Sequence, residues 1–276
     1  MKPVALEMAR AASLAEATKL LAGHDGAVKV IAGGQSLGPM LNLRLARPSL
    51  LIDVSRLNAL QQVDDRGATW RIGAGVTHAR LEDARGSLPG AEALCEVAAS
   101  IAYRAIRNRG TIGGSLAHAD PGADWPVVLA AFGASVNIRG PAATRSVPVE
   151  RFVQGAFTTA LEDDEIIETI DVPKLSHAAH YGTYKFCRKT GDFAEASAAA
   201  VFDPESGAAR IFLGALRGAP QPLALLAARV AREGQSATSA QAVAEGVVQA
   251  MPDLDPVERR MGSAAVTRAL QRVFKP

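Results

Sequence analysis

Apolar positions near the N-terminus repeat at helical spacing. Leu14, Ala17, Leu20 and Leu21 share one face behind Ser13-Leu-Ala-Glu16, which reads as a capping box. That helix should end at Gly23 to Gly26. Val28 to Ala32 is then read as a buried strand, with the β-branched pair Val30-Ile31 before Gly33. Leu50 to Val54 repeats the pattern after Pro48, with a turn at Ser55 to Asn58. From Gln61 to Val76 the period shortens to two: Trp70 and Ile72 alternate with polar neighbours after the turn Asp65-Arg66-Gly67, which predicts a hairpin. Helical patches follow up to Arg85, over Leu94 to Ala102 and over Val127 to Phe132. Strands are predicted at Ser135 to Arg139 and Ile166 to Val172.

The last third changes character. Tyr181 to Phe186 alternates as a strand, and Phe193 to Val201 is small and apolar. Asp203 to Gly207 turns the chain into a further strand, Ala209 to Ala215. From Pro222 to Phe274 the composition is helical, in alanine-rich segments at 223–232, 239–250 and 256–273. Strands followed by helices make an α+β unit of about 100 residues, a usual domain size. Lys174 to His180 is the best linker candidate. There is no internal repeat and no low-complexity tract.

Composition narrows the function classes. With 48% hydrophobic and 21% charged residues the 276-residue chain is an ordinary globular protein, long enough for one large or two modest cores. A net charge of +2, with no basic tract interleaved with aromatics, gives no case for nucleic acid or a membrane surface. No apolar run approaches the ~20 residues of a membrane span. The N-terminus lacks the pattern of a secretory signal, so a cytoplasmic protein is expected. Cys95 and Cys187 are the only cysteines, whereas a [2Fe–2S] cluster takes about four thiolates. The histidines at 24, 78, 118, 177 and 180 show no metal-ligand spacing; His177 and His180 read as a solvated pair. No metal site is expected.

Two stretches carry the chemistry. Arg107 to Trp125 reads Arg-Asn-Arg-Gly-Thr-Ile-Gly-Gly-Ser-Leu-Ala-His-Ala-Asp-Pro-Gly-Ala-Asp-Trp. Glycines at 110, 113, 114 and 122 allow positive φ and close ligand approach, while Thr111, Ser115 and consecutive N–H groups can form an anion-binding concavity. Asp124 reads as the N-cap of the helix that follows. Val30 to Pro39 is a strand broken by Gly33-Gly34 and followed by Gln35 and Ser36. It is neither a Walker loop nor a GxGxxG fingerprint. Two such loops suit a ligand with a pyrophosphate in its middle.

Ala-Gly-Gly-Gln-Ser-Leu at 32–37 and the stretch from Arg107 to Asp124 together resemble the FAD-binding medium subunit of molybdenum hydroxylases, the family of carbon monoxide and xanthine dehydrogenases. The resemblance spans nearly the whole chain. It implies an α+β fold: a two-part FAD-binding domain of the vanillyl-alcohol-oxidase-like (PCMH) type over 1–173, in halves of about 1–57 and 58–173, then an α+β C-terminal domain over 174–276. It also implies FAD as cofactor, with molybdopterin and [2Fe–2S] clusters on a large and a small partner subunit, and assembly as a dimer of heterotrimers.

By the same resemblance, Ala32, Gly33, Gly34, Gln35, Ser36 and Leu37 would wrap the pyrophosphate and the flavin edge, with Thr111, Gly113, Gly114 and Ser115 opposite. Asp124 would hold the adenosine ribose, beside or instead of capping its helix, and Ile101 would pack at the adenine end. Ile167 would contact the ring through its main chain, Lys185 would lie beside the flavin pyrimidine, and Phe193 would screen the ring. As bare residue types Ile101, Ile167 and Phe193 belong to a core, and Cys187 reads as a small buried residue. His78 fits a capping or surface histidine equally well. No catalytic residue is implied on this chain. The alternatives are a stand-alone flavin oxidoreductase and a scaffold that has lost its flavin.

Overall fold

A computed structural model of the protein describes residues 2–275. Three sheets organise it. The first is parallel, in the order β1 (Glu7–Arg10), β3 (Leu50–Asp53), β2 (Val28–Ile31), with α1 (Leu14–Ala22) and α2 (Leu37–Asn42) in the connections. The Ser13 hydroxyl accepts from Glu16 N–H at 3.1 Å as expected. The Glu16 carboxylate, however, takes Ala12 N–H (2.7 Å), one residue earlier than a capping box requires. β1 and α2 were not legible beforehand. Glu-Met-Ala-Arg lacks strand alternation, and its strand state comes from pairing with β3, Met8 opposite Leu51.

The second sheet is antiparallel, in the order β4 (Val63–Asp65), β5 (Thr69–Gly73), β10 (Ile166–Pro173), β6 (Ser135–Arg139), β7 (Thr144–Pro148). A small ribbon of β8 (Val153–Gly155) and β9 (Thr158–Thr159) precedes β10. Between β5 and β6 run α3 (His78–Asp83), α4 (Glu92–Ser100), α5 (Arg104–Arg107), α6 (Ile112–His118) and α7 (Asp124–Ala131); α8 (Val149–Phe152) follows β7. The segment from Lys174 to His180 is less of a linker than its composition suggests. Lys174 N–H donates to Ala68 O and Leu175 N–H to Gly90 O, both at 2.9 Å. The Lys174 ammonium also reaches Asp65 (2.5 Å) and lies over the Trp70 ring.

The third sheet, β11 (His180–Phe186), β12 (Ala196–Asp203), β13 (Ala208–Gly214) and β14 (Gln221–Pro222), is antiparallel and is covered by α9 (Ala224–Glu233), α10 (Ala240–Ala250) and α11 (Pro256–Phe274). β12 is apolar at almost every position because both of its faces are buried. Ala196, Ala198 and Ala200 pack into the core formed with α9–α11, whereas Ala199 and Val201 belong to the larger core formed with the first two sheets. Alanine on both faces lets helices approach closely from either side.

The helix on the second of those faces is α7. Every residue from Trp125 to Ala131 is buried, the pattern of a helix surrounded by protein. It packs α6 and α8 on one side and β12 and β13 on the other. At its C-terminal end the Arg210 guanidinium donates to Ala130 O at 2.9 Å. Leu129 is fully buried. Leu129→Ala should therefore destabilise the chain by about 2–5 kcal/mol, read as a lower urea midpoint with an unchanged transition slope.

Candidate functional site

A cleft of about 820 Å3, within the size range of cofactor sites, opens where the turn after β2, the start of α6, the start of α7 and the segment 189–193 converge. It receives nearly all the residues singled out from the sequence. Ala32 to Leu37, Ile101, Thr111, Gly113, Gly114, Ser115, Asp124, Ile167 and Phe193 all line it. Lys185 does not: it stands behind Asp124, on β11.

The turn after β2 is built to receive an anion. Gly34 has φ of +72°, a left-handed conformation that glycine adopts without strain. Among the described residues, no hydrogen-bond acceptor meets the N–H groups of Gly33, Gly34, Gln35, Ser36 or Leu37. Five successive N–H groups without an acceptor, on residues that line the cleft, suit an anion. The Gln35 amide, which might have competed, folds back onto Gly33 O (3.1 Å). A Cβ on Gly33 would collide with the backbone carbonyl of Arg109, and the Arg109 guanidinium donates to Gly33 O at 3.2 Å. The two glycine-rich stretches thus touch backbone to backbone.

The second stretch corrects its sequence reading. It is no open loop: α6 occupies its middle, and Thr111 is the N-cap of that helix, its hydroxyl accepting Gly114 N–H at 3.0 Å. Ile112 N–H goes to Val76 O (3.1 Å) and Gly113 N–H to Ala74 O (3.0 Å). The N–H groups of Ile112, Gly113 and Gly114 are thus spent inside the protein, whereas the Ser115 hydroxyl makes no hydrogen bond among the described residues. Nor do Gly110, Gly113, Gly114 and Gly122 adopt positive φ. Three of them are small for packing reasons. A Cβ would lie 2.9 Å from the His78 ring at Gly110, 2.7 Å from the Ala74 backbone at Gly113, and 3.0 Å from Ala194 O at Gly122.

Asp124 also departs from its expected role. Ala123 is the N-cap of α7; Asp124 is its first residue and makes no cap bond with its side chain. Its carboxylate instead pairs with Lys185 at 3.1 Å, and the ammonium also donates to Ser100 O at 3.2 Å. Burial pushes the Asp124 carboxyl above the usual carboxylate range, and Lys185 opposes that rise. Because the two side chains are in contact, they cannot serve opposite ends of a cofactor extended along the cleft. Ile101 adjoins them through Ser100, and its turn is clamped by Arg107, which donates to Ile101 O and Ala102 O (both 2.9 Å) while bound to Glu82. Ala102 consequently sits at φ +42°.

Phe193 is 61% exposed at the cleft mouth, against Gly122. Ile167 is buried beside a bulge in β10, where it pairs with Ile138. Cys187 is half-buried rather than buried. His78 is neither a cap nor a surface residue: it is 5% exposed, and Thr77 caps α3. Its Nδ1 accepts from Trp125 Nε1 at 3.1 Å, which puts the imidazole proton on Nε2. Burial and the nearby Arg107 charge lower its pKa from 6.5 to about 4. Sequence reasoning missed Phe157 and His118, which line the cleft with their rings 5.1 Å apart. Phe157 has φ +55°, a conformation that nothing in the identity of a phenylalanine signals.

The profile of the family described as the FAD binding domain in molybdopterin dehydrogenase matches residues 4–175. The chain is 36% identical over 266 residues to the 6-hydroxypseudooxynicotine dehydrogenase complex subunit alpha of Paenarthrobacter nicotinovorans, covering 96% of this chain and 90% of that one. Among solved structures, carbon monoxide dehydrogenase from Hydrogenophaga pseudoflava superposes with a TM-score of 0.90 at 33% identity, covering 99% of both chains. Quinoline 2-oxidoreductase from Pseudomonas putida 86 gives 0.88 at 32% identity, covering 99% of this chain and 98% of that one.

The buried histidine sets a pH dependence. Below pH 6.5 the unfolded chain takes a proton on His78 that the folded chain refuses until about pH 4, so stability falls as pH drops through that window. The loss at the acid end should be up to about 3 kcal/mol. Denaturant titrations across this range should show the slope in the native chain and lose that component in His78→Gln.

Proposed function

The chain belongs to the FAD-binding family of molybdopterin dehydrogenases and is the flavin-carrying electron-transfer subunit of such a complex; from there we propose how its own residues hold the cofactor. Small iron–sulfur and large molybdenum subunits complete the complex, and substrate hydroxylation belongs to the molybdenum subunit. The observation that carries the proposal is the run of five N–H groups from Gly33 to Leu37 that lack an acceptor among the described residues, which matches the donor demand of a pyrophosphate. The wall formed by Thr111, Gly113, Gly114 and Ser115 contributes shape, van der Waals contact and the Ser115 hydroxyl, while the N–H groups of Gly113 and Gly114 are already engaged.

At the other end of the cleft, Ile101, Asp124, Lys185 and Phe193 form one neighbourhood, and we assign all four to the flavin ring. The Asp124 carboxylate is an acceptor suited to the imide N–H of the ring's pyrimidine edge. Lys185 opposes the rise that burial imposes on that carboxyl and brings positive charge near the ring. Ile167 offers main-chain groups, and Phe193 covers the face open to solvent. Bound FAD supplies the exchange between one-electron carriers and an acceptor of two electrons. The protein contributes position, electrostatics and exclusion of water.

Residues 1–173 are read as the cofactor-binding unit, in halves meeting near residue 57, with 174–276 as the C-terminal unit; a family match ending at 175 supports this division. No described helix is long and apolar enough to cross a membrane. A cytoplasmic dimer of heterotrimers is the assembly this reading favours. A stand-alone flavin oxidoreductase is disfavoured because the relatives are subunits of complexes.

Absorption spectra of the purified complex test the reading, followed by heat release of the flavin. One FAD per chain is expected. Gly33→Ala, which forces the turn away from Arg109, should lower flavin content at least roughly tenfold while the chain stays folded, since its first effect is on loop spacing. A variant with full flavin occupancy would place the pyrophosphate elsewhere.

A further inference from the structure

Among the described residues that line the cleft, His78 is the one buried titratable side chain. The fold treats its two ring nitrogens differently. Nδ1 accepts the Trp125 indole N–H at 3.1 Å. An indole nitrogen can only donate, so the tautomer is fixed and the imidazole proton stays on Nε2. No acceptor among the described residues meets that N–H. Yet the atom is not sealed inside the protein. The sealed side-chain atoms that lack a partner are Ser197 Oγ and Arg259 Nε, so Nε2 keeps contact with the cleft its ring lines. A buried donor of this kind is costly to leave unmet, and an acceptor in the cleft would relieve it.

The ring also has a definite place along the cleft. On one side it packs against Gly110, where a Cβ would come within 2.9 Å of it, and the His78 N–H donates to Gly110 O at 2.9 Å. Gly110 follows Arg109, whose carbonyl abuts Gly33 at the head of the free N–H run. On the other side the ring holds Trp125, the residue after Asp124. Those two ends of the cleft take the pyrophosphate and the flavin ring, and in FAD the ribityl chain, a polyol, joins the two. Burial and the Arg107 charge lower the imidazole pKa to about 4, which leaves an uncharged donor at ordinary pH. Such a donor suits a hydroxyl oxygen better than a phosphate, which favours a cation.

We infer that the His78 Nε2–H donates to a ribityl hydroxyl of the bound flavin, with Trp125 as the positioning residue that fixes the donor tautomer, an assignment that rests on the flavin reading above. Trp125 thereby links the buried body of α7 to the middle of the cofactor.

The test uses the complex stripped of flavin and titrated with FAD, with binding followed by the change in flavin fluorescence. The comparison ligand is an FAD analogue whose ribityl hydroxyls are replaced by hydrogen. In the native complex the analogue should bind at least roughly tenfold more weakly than FAD, and equal affinity overturns the inference without recourse to any variant. His78→Phe keeps a planar ring and removes the donor; it should weaken FAD roughly tenfold and leave the analogue within about twofold of its native affinity. His78→Gln, whose amide N–H can reach the same place, should hold FAD within about threefold of native. Trp125→Phe frees the histidine to carry its proton on either nitrogen and should weaken FAD while sparing the analogue. If His78→Phe weakens both ligands alike, or if the glutamine variant is as weak as the phenylalanine one, the histidine acts by packing alone and the inference falls while the flavin assignment stands. A native complex that purifies without flavin and refuses added FAD overturns both.

Discussion

Everything in this structure passes through α7. A helix with no polar face can exist in water only if protein covers it on every side, and here the cover is one core, to which α6, α8 and one face of β12 and β13 contribute. The same eight residues begin with a carboxylate in the cleft and continue with a tryptophan bonded to His78. Burial of the helix body is what holds its first turn still. The cost of keeping Asp124 out of water is offset by an ammonium on a strand of the third sheet, so the cleft depends on how that sheet docks.

Much of this was legible. Strands with continuous β-branched runs, the hairpin around Arg66-Gly67 and the three C-terminal helices appear close to their expected limits, because each is specified by local period and turn chemistry. β1 and α2 were not. A four-residue strand becomes one by pairing across 43 residues of sequence, as its Arg10–Asp53 bond illustrates, and pattern within four residues cannot encode that.

The site was legible in membership and less so in mechanism. Glycine-rich composition located the cleft, yet it could not distinguish a glycine that admits a ligand from one that admits the protein itself. Gly34 is the first kind, Gly113 the second. Which N–H groups remain free is a property of neighbours: the Thr111 hydroxyl and the carbonyls of Ala74 and Val76 decide it. Likewise, Asp124 looked like a cap because aspartate is a favoured N-cap residue and Pro126 follows close behind. Only the fold brings Lys185 to it from 61 residues away.

The contact between Gly33 and Arg109 has a consequence for the order of assembly. Its two sides are 76 residues apart in sequence, and closing so long a loop is slow relative to forming hairpins and helices. The first sheet can pair, and the turn after β2 can form, before this closure occurs. The full wall of the cleft cannot. Capture of the flavin therefore belongs to the last stages of folding, and an occupied cleft certifies that distant parts of the chain have already met.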